Sequence, residues 1–286
     1  MSSDRSSPRL AVVGHLEWVQ FARVREFPGA GEIAHAEDVF EEPAGGGAVA
    51  AVQLARIAGE ALLITALGED EYAERSLVRL EQLGVSVHAA RRPGSSRRAV
   101  TLIDSHGERS ITTLGERLEP AGSDRELPWE LLAEMDGVYF TAGDGPALCA
   151  ARRAGTLVAT PRAGRALEDE VRLQALVLSA SDPLEQRLAR NVSRQAELVV
   201  LTDAARGGTY TTAEGRSGSW RAAEPPGPVR DAYGCGDSFA AGLTYGLAAG
   251  RQPQQAIELA ARCGAVCLTG RGPYGRQLQA GEPASS

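Results

Sequence analysis

The sequence predicts an α/β fold: a mainly parallel central sheet with helices on both faces, and a small β appendage beside it. Three observations carry this reading. Short apolar runs such as ALLITALG (61–68) and AELVVLT (196–202) alternate with stretches of helical spacing, the pattern of right-handed crossovers between parallel strands. Those runs are apolar throughout, as strands buried on both faces are. Two segments, about 15–43 and 97–115, break the rhythm with β-rich sequence and no helix of their own.

Taken in order, AVVG (11–14) reads as the opening strand. HLEWVQFARVREFPGAGEIAHAEDVFEEP (15–43) is strand-like but interrupted by Pro28, Gly29 and Gly31. GGGAVAAVQLARIAG (45–59) has the small-residue, apolar pattern of a buried helix, and the run 61–68 follows it as a strand. In 71–84, Tyr72, Leu77, Leu80 and Leu83 recur at helical spacing and Gly84 ends the helix. RAVTLIDSHGERSITTL (98–114) reads as an antiparallel hairpin about Asp104 and Gly107. GVYFTA (137–142), TLVAT (156–160), ALVLSA (175–180) and AELVVLT then read as strands, separated by the helical PALCAARRAG and PLEQRLARNVSRQ. The whole chain, 1–286, is expected to form one domain with the two β-rich segments as its lid, and 280–286 to trail as a disordered tail.

Composition excludes several classes. The net charge of -7, with all 30 basic residues arginine, argues against a nucleic-acid surface, and the absence of lysine excludes a Walker A loop. The densest cationic stretch, RRPGSSRR (91–98), reads as a solvated loop. No run of eighteen apolar residues suggests a membrane span, and the N-terminus lacks the apolar core of a signal peptide, so a cytoplasmic protein is expected. The four cysteines show no CxxC spacing; Cys263 and Cys267 fall on one helix face as buried small residues.

The stretch DAYGCGDSF (231–239) is different. Its glycines precede the apolar periodicity of SFAAGLTYGLAAG, which places them in a turn that enters a helix. Free N–H groups and the positive end of the helix dipole would favour an anion there, and glycine would let it approach closely. A plain turn with Asp237 as a first-turn carboxylate is the competing reading.

DAYGCGDSFAAG resembles the DTxGAGDxF signature of the PfkB or ribokinase-like carbohydrate kinases. AVVGHLEWV with FPGAGEI, the GGGAVAAVQLARIAG helix, SDPLEQ (181–186), similar to N-x-x-E, and VVLTDAARGG (199–208) resemble further elements of that family in the same order. The resemblance implies a ribokinase-like three-layer sandwich and ATP-dependent phosphorylation of a primary hydroxyl of a sugar. It also allows a nucleoside kinase of the same fold, or a non-catalytic ligand-binding protein built on it.

The resemblance assigns roles by position. Amides of Gly234, Cys235 and Gly236 would hold the γ-phosphoryl oxygens, and Asp237 would be the base. Glu185 with Asp182 would hold Mg²⁺ through water, and Asp231 falls where some relatives bind a monovalent cation such as K⁺. Thr202 and Gly207 would border the ATP phosphates and ribose, with Gly272 in GRGPYG (270–275) closing over the adenine. Gly45 and Gly46 would face the sugar. Val49 replaces an asparagine that contacts the sugar in many members, and Glu17 is the nearest carboxylate to an aspartate that is missing after the first strand. A small-molecule substrate and a homodimer through the β lid are the partners implied. Because Cys235 would sit at a helix N-terminus, its thiolate form is expected to be favoured.

Overall fold

The structure, a computed structural model, describes residues 7–283. In chain order the elements are β1 (Leu10–Val13), β2 (Glu17–Arg23), β3 (Asp38–Ala44), α1 (Gly46–Ala58), β4 (Ala61–Leu67), α2 (Glu71–Gln82), β5 (Val85–Arg91), β6 (Arg98–Ile103) and β7 (Arg109–Leu114). They continue with β8 (Gly137–Phe140), α3 (Gly145–Ala151), β9 (Thr156–Ala159), β10 (Leu173–Ser179), α4 (Pro183–Val192), β11 (Ala196–Thr202), β12 (Gly208–Thr212), β13 (Ser217–Trp220), α5 (Cys235–Ala248) and α6 (Pro253–Cys267).

Nine strands form one sheet in the order β13-β12-β11-β10-β9-β8-β1-β4-β5, parallel from β11 through to β5. Alternation within β1 shows why its run is apolar: Leu10 and Val12 join the core beneath α1, α5 and α6, while Ala11 and Val13 join the core beneath α3 and α4. A strand covered on both faces has no solvent side on which to place a polar residue. The chain runs outward from β1 to β4 and β5, then returns to pair β8 against the other side of β1. The strand order therefore reverses at β1/β8, and the crevice beyond the carboxyl ends of those strands is where open α/β sheets bind ligands.

The lid is a second sheet, β3-β2-β6-β7, with antiparallel β2–β3 and β6–β7 pairs and a parallel β2–β6 pair. Phe21 of β2 stacks on Phe40 of β3 at 4.7 Å and meets Tyr233 edge-on at 4.9 Å, which fastens the lid to the segment leading into α5.

Three parts of the fold differ from the sequence reading. Residues 208–220, rich in Gly, Ser and Thr, form the antiparallel strands β12 and β13 at the sheet edge, where half-exposed strands need no apolar run. The 91–98 stretch is not a simple solvated loop. Arg92 holds the Asp124 carboxylate with both terminal nitrogens, buried Ser96 donates to Asp70, and Arg97 pairs with Glu17. Within the expected tail, residues 280–283 are tied down: the Ala280 N–H donates to the Arg56 carbonyl, and Arg262 donates to the carbonyls of Glu282 and Pro283. Residues 284–286 lie outside the described part. Among the described residues no helix is long and apolar enough to cross a membrane.

Candidate active site

Two helices open onto the crevice at the carboxyl end of β1, each through a glycine in the left-handed region: Gly45 (φ 88°) before α1 and Gly234 (φ 79°) before α5. A side chain at either position would be strained. At Gly234 it would also lie 2.8 Å from Cγ1 of Val49. Val49 is thus core packing under the turn. It is fully buried and presents no surface to a ligand, which corrects its placement at the sugar.

The helix α5 begins at Cys235, earlier than the apolar periodicity indicates, so Cys235, Gly236 and Asp237 form its first turn. No side chain caps it, and the N–H groups of a first turn have no acceptor within the helix. Gly236 is explained by neither conformation nor packing: a Cβ there would meet nothing within 4 Å. Its missing side chain leaves open space beside the first turn of α5, whose N–H groups have no acceptor among the described residues.

Gly46 shows what this space adjoins. A Cβ on Gly46 would lie 2.9 Å from Asp237 Oδ1, 3.2 Å from Thr141 Oγ1 and 3.4 Å from His15 Cε1. Four segments distant in sequence therefore meet at one point: the residue following β8, the loop after β1, and the first turns of α1 and α5. Nothing in the sequence around His15 and Thr141 marks them as site residues. The only local signal was that His15 directly follows the glycine closing the first strand, and Thr141 the last residue of β8.

Electrostatics distinguish the groups. Burial pushes the Asp237 carboxyl up to about 6, Arg109 opposes that rise, and Glu185 adds to it. Burial and the nearby charges of Arg117, Arg97 and Arg162 pull His15 down to about 3, so it is neutral at physiological pH. Its Nε2 accepts the Gly46 N–H at 3.3 Å, leaving the proton on Nδ1, a buried donor with no partner among the described residues. Burial raises the Glu17 carboxyl against the opposing charge of Arg97, whose Nε lies 3.2 Å away.

The other positions fall into three groups. Asp182 caps α4 through Oδ1, which accepts from the amides of Leu184 and Glu185, while its Oδ2 and Oε1 of Glu185 converge on the guanidinium of Arg162. One cation thus sits between two carboxylates, a donor set that fits hydrated Mg²⁺. Asp231 is fully buried and clamps backbone: Oδ1 accepts from Tyr233 N–H at 2.8 Å and Oδ2 from Gly272 N–H at 3.0 Å. Each oxygen accepts one amide and keeps a further lone pair, a donor set that a monovalent cation such as K⁺ would fit. Gly272 packs against the Phe40 ring of the lid, with its amide on Asp231. Thr202 and Gly207 lie toward the other end of the sheet. The Thr202 hydroxyl donates to Leu178 O, and Gly207 (φ 90°) would bring a Cβ within 2.1 Å of the Trp220 carbonyl.

Cys235 corrects the thiolate expectation. The neighbouring Cys267 thiol and burial push its thiol well above the usual range, which favours the protonated form.

The pfkB family carbohydrate kinase model matches residues 7–168 and 173–279. The chain belongs to that family. A fructokinase of Klebsiella pneumoniae is 27% identical over 281 residues, covering 83% of this chain and 91% of that protein. Among solved structures, Arabidopsis thaliana ribokinase complexed with ribose and ATP superposes with a TM-score of 0.73 at 17% identity, covering 95% of this chain and 96% of its own. Adenosine kinase from Sinorhizobium meliloti gives 0.72 at 18% identity, covering 93% and 95%. At these identities the structural matches speak for the fold alone.

Proposed function

We propose that the protein transfers the γ-phosphoryl group of ATP to a primary hydroxyl of a sugar. The observation that carries this reading is the meeting of Asp237 Oδ1, the uncapped first turn of α5 and the empty space at Gly236 in one crevice. Phosphoryl transfer needs an aligned alcohol, a base for its proton and donors for the charge on three oxygens. Asp237 takes the hydroxyl proton, and the acceptor oxygen forms a bond to Pγ. The bond from Pγ to the bridging oxygen breaks, and its electron pair leaves with ADP. Amides at Gly234, Cys235 and Gly236 hold the non-bridging oxygens throughout.

A carboxyl titrating near 6 suits this work, being ionised at neutral pH yet more basic than a free aspartate. Asp182 and Glu185 would hold Mg²⁺ through its water shell, where the ion supplies charge neutralisation to the nucleotide phosphates. Gly45, Gly46 and Glu17 border the acceptor side, with Thr202 and Gly207 on the nucleotide side. Membership of the carbohydrate kinase family and the fructokinase relative support a sugar as acceptor.

The test is ADP release with ATP and Mg²⁺ across a panel of sugars and nucleosides. Turnover with at least one sugar is expected. Turnover with nucleosides alone would move the acceptor class to nucleosides. If no compound stimulates ADP release while several raise the melting temperature, the site binds ligands without catalysis and the kinase reading fails.

A further inference from the structure

The cation that lies between Asp182 and Glu185 belongs to the chain itself. Strands β9 and β10 are parallel neighbours, so the segments that follow them emerge at the same edge of the sheet. Residues Pro161–Asp169 follow β9 and carry Arg162, while Asp182 and Glu185 at the start of α4 follow β10. The Arg162 backbone is anchored through its carbonyl, which accepts from the Arg117 guanidinium at 3.2 Å. Its side chain spans both carboxylates, with Nε donating to Glu185 Oε1 at 2.8 Å and a terminal nitrogen donating to Asp182 Oδ2.

The three partners are not equally committed to this arrangement. Each carboxylate has its other oxygen tied to backbone: Asp182 Oδ1 accepts from the amides of Leu184 and Glu185, and Glu185 Oε2 accepts from the Ser179 amide at 2.8 Å. Those bonds orient both carboxylates whether or not Arg162 is present. The Arg162 side chain is 49% exposed, against 21% for Asp182 and 12% for Glu185. A half-exposed guanidinium leaves for water at little cost. Two largely buried carboxylates, by contrast, lose their counter-charge only if another cation takes its place.

We propose that Arg162 is the resident counter-ion of the metal site, holding the two carboxylates in the metal-free protein and being displaced when a divalent cation binds them. This rests on the reading above in which Asp182 and Glu185 hold Mg²⁺. A guanidinium and a hydrated ion cannot share the gap between Glu185 Oε1 and Asp182 Oδ2, so the two compete for the same oxygens. Arg162 acts through the carboxylates and is a positioning residue. The charge of Arg162 also acts on Asp237 and His15, so the exchange takes place within the crevice of the proposed base.

The experiment uses Mn²⁺ alone, without nucleotide, and reads the free ion by electron paramagnetic resonance. The parent is compared with Arg162→Gln, Arg162→Lys and the double variant Arg162→Gln/Glu185→Gln. Arg162→Gln should bind Mn²⁺ about tenfold more tightly than the parent, because a cation in contact with both carboxylates has gone. Arg162→Lys should fall between the two, since an ammonium keeps the charge but not the planar fork. In the double variant the gain should disappear. The rise in melting temperature that Mn²⁺ produces should follow the same order. An Arg162→Gln variant that binds Mn²⁺ no more tightly than the parent overturns the proposal and makes Arg162 a structural tie between the two segments. A gain that survives Glu185→Gln also overturns it, because the ion then lies elsewhere. Should Arg162→Gln fail to fold by circular dichroism, Arg162→Lys decides alone, and an affinity equal to the parent's overturns the proposal. Because the readout is metal binding and not turnover, its failure is distinct from that of the kinase reading, which the acceptor panel tests.

Discussion

The helices α1 and α5 look alike in sequence. Each follows a glycine-rich turn, lacks a side-chain cap from its own N-cap residue, and is packed with small residues against the same core. At their N-termini they differ completely. The first amides of α1 are already used: Gly45 N–H donates to the Tyr233 hydroxyl, Gly46 N–H to His15 Nε2 and Gly47 N–H to the His15 carbonyl. Those of α5 have no acceptor among the described residues. A glycine-led helix start is therefore not in itself an anion site; what matters is whether the surrounding fold has already satisfied its donors. Here the fold has satisfied the start of α1 and left the start of α5 with donors to offer.

Replacing the carboxylate at the α5 end should have the largest effect. Asp237→Asn keeps the size and the helix start but removes the proposed base, and a fall in kcat of about 10²–10⁴ is expected from steady-state assays. Because burial raises the folded-state carboxyl to about 6, folding favours its protonated form. The ionised carboxylate therefore costs stability above that pH, and this cost is absent below the unfolded value. Asparagine, which never ionises, should accordingly melt higher than the parent at neutral pH, by roughly 2–4 °C for each kcal/mol relieved. A variant that keeps more than about a tenth of parental kcat would reduce α5 to the same structural role as α1.

Gly46→Ala tests the point where the two helices touch. The added methyl would stand 2.9 Å from Asp237 Oδ1, so the carboxylate must move. Since small displacements of a reacting group cost rate steeply, kcat should drop about 10- to 100-fold while circular dichroism remains unchanged. Unaltered kcat would mean that the two helix starts do not share a reaction site.

The pH profile gives a smaller and more specific effect. In the parent, kcat/KM should fall about tenfold for each unit of pH below an inflection near 6, as Asp237 takes up its proton, and this limb should vanish in Asp237→Asn. An inflection near the free aspartate value would assign the limb to an exposed carboxyl.

The smallest effect is expected at the α1 end. Tyr233→Phe removes the acceptor of the Gly45 amide and should lower stability by about 1 kcal/mol in denaturant unfolding, with KM values little changed. A several-fold change in acceptor KM would show that the α1 amides also serve the ligand, and would remove the contrast between the two helices.

Local chemistry made much of this legible in the sequence. Apolar runs alternating with helical periodicity are a direct consequence of strands covered on both faces, so the parallel sheet could be read from residues 61–202 alone. The turn DAYGCGD could be placed before a helix because glycine and the onset of apolar spacing are local signals. The edge strands β12 and β13 were not legible, because a strand with one open side needs no continuous apolar run. What only the tertiary structure decided is which of these local features meet and which remain unsatisfied. Sequence cannot tell that His15 and Tyr233 consume the amides of α1, that Val49 fills the space beneath Gly234, or that Cys267 raises the Cys235 thiol. Hydrogen-bond satisfaction and burial are properties of neighbours brought together from distant positions, and they determine both the charge of Asp237 and the availability of the α5 amides.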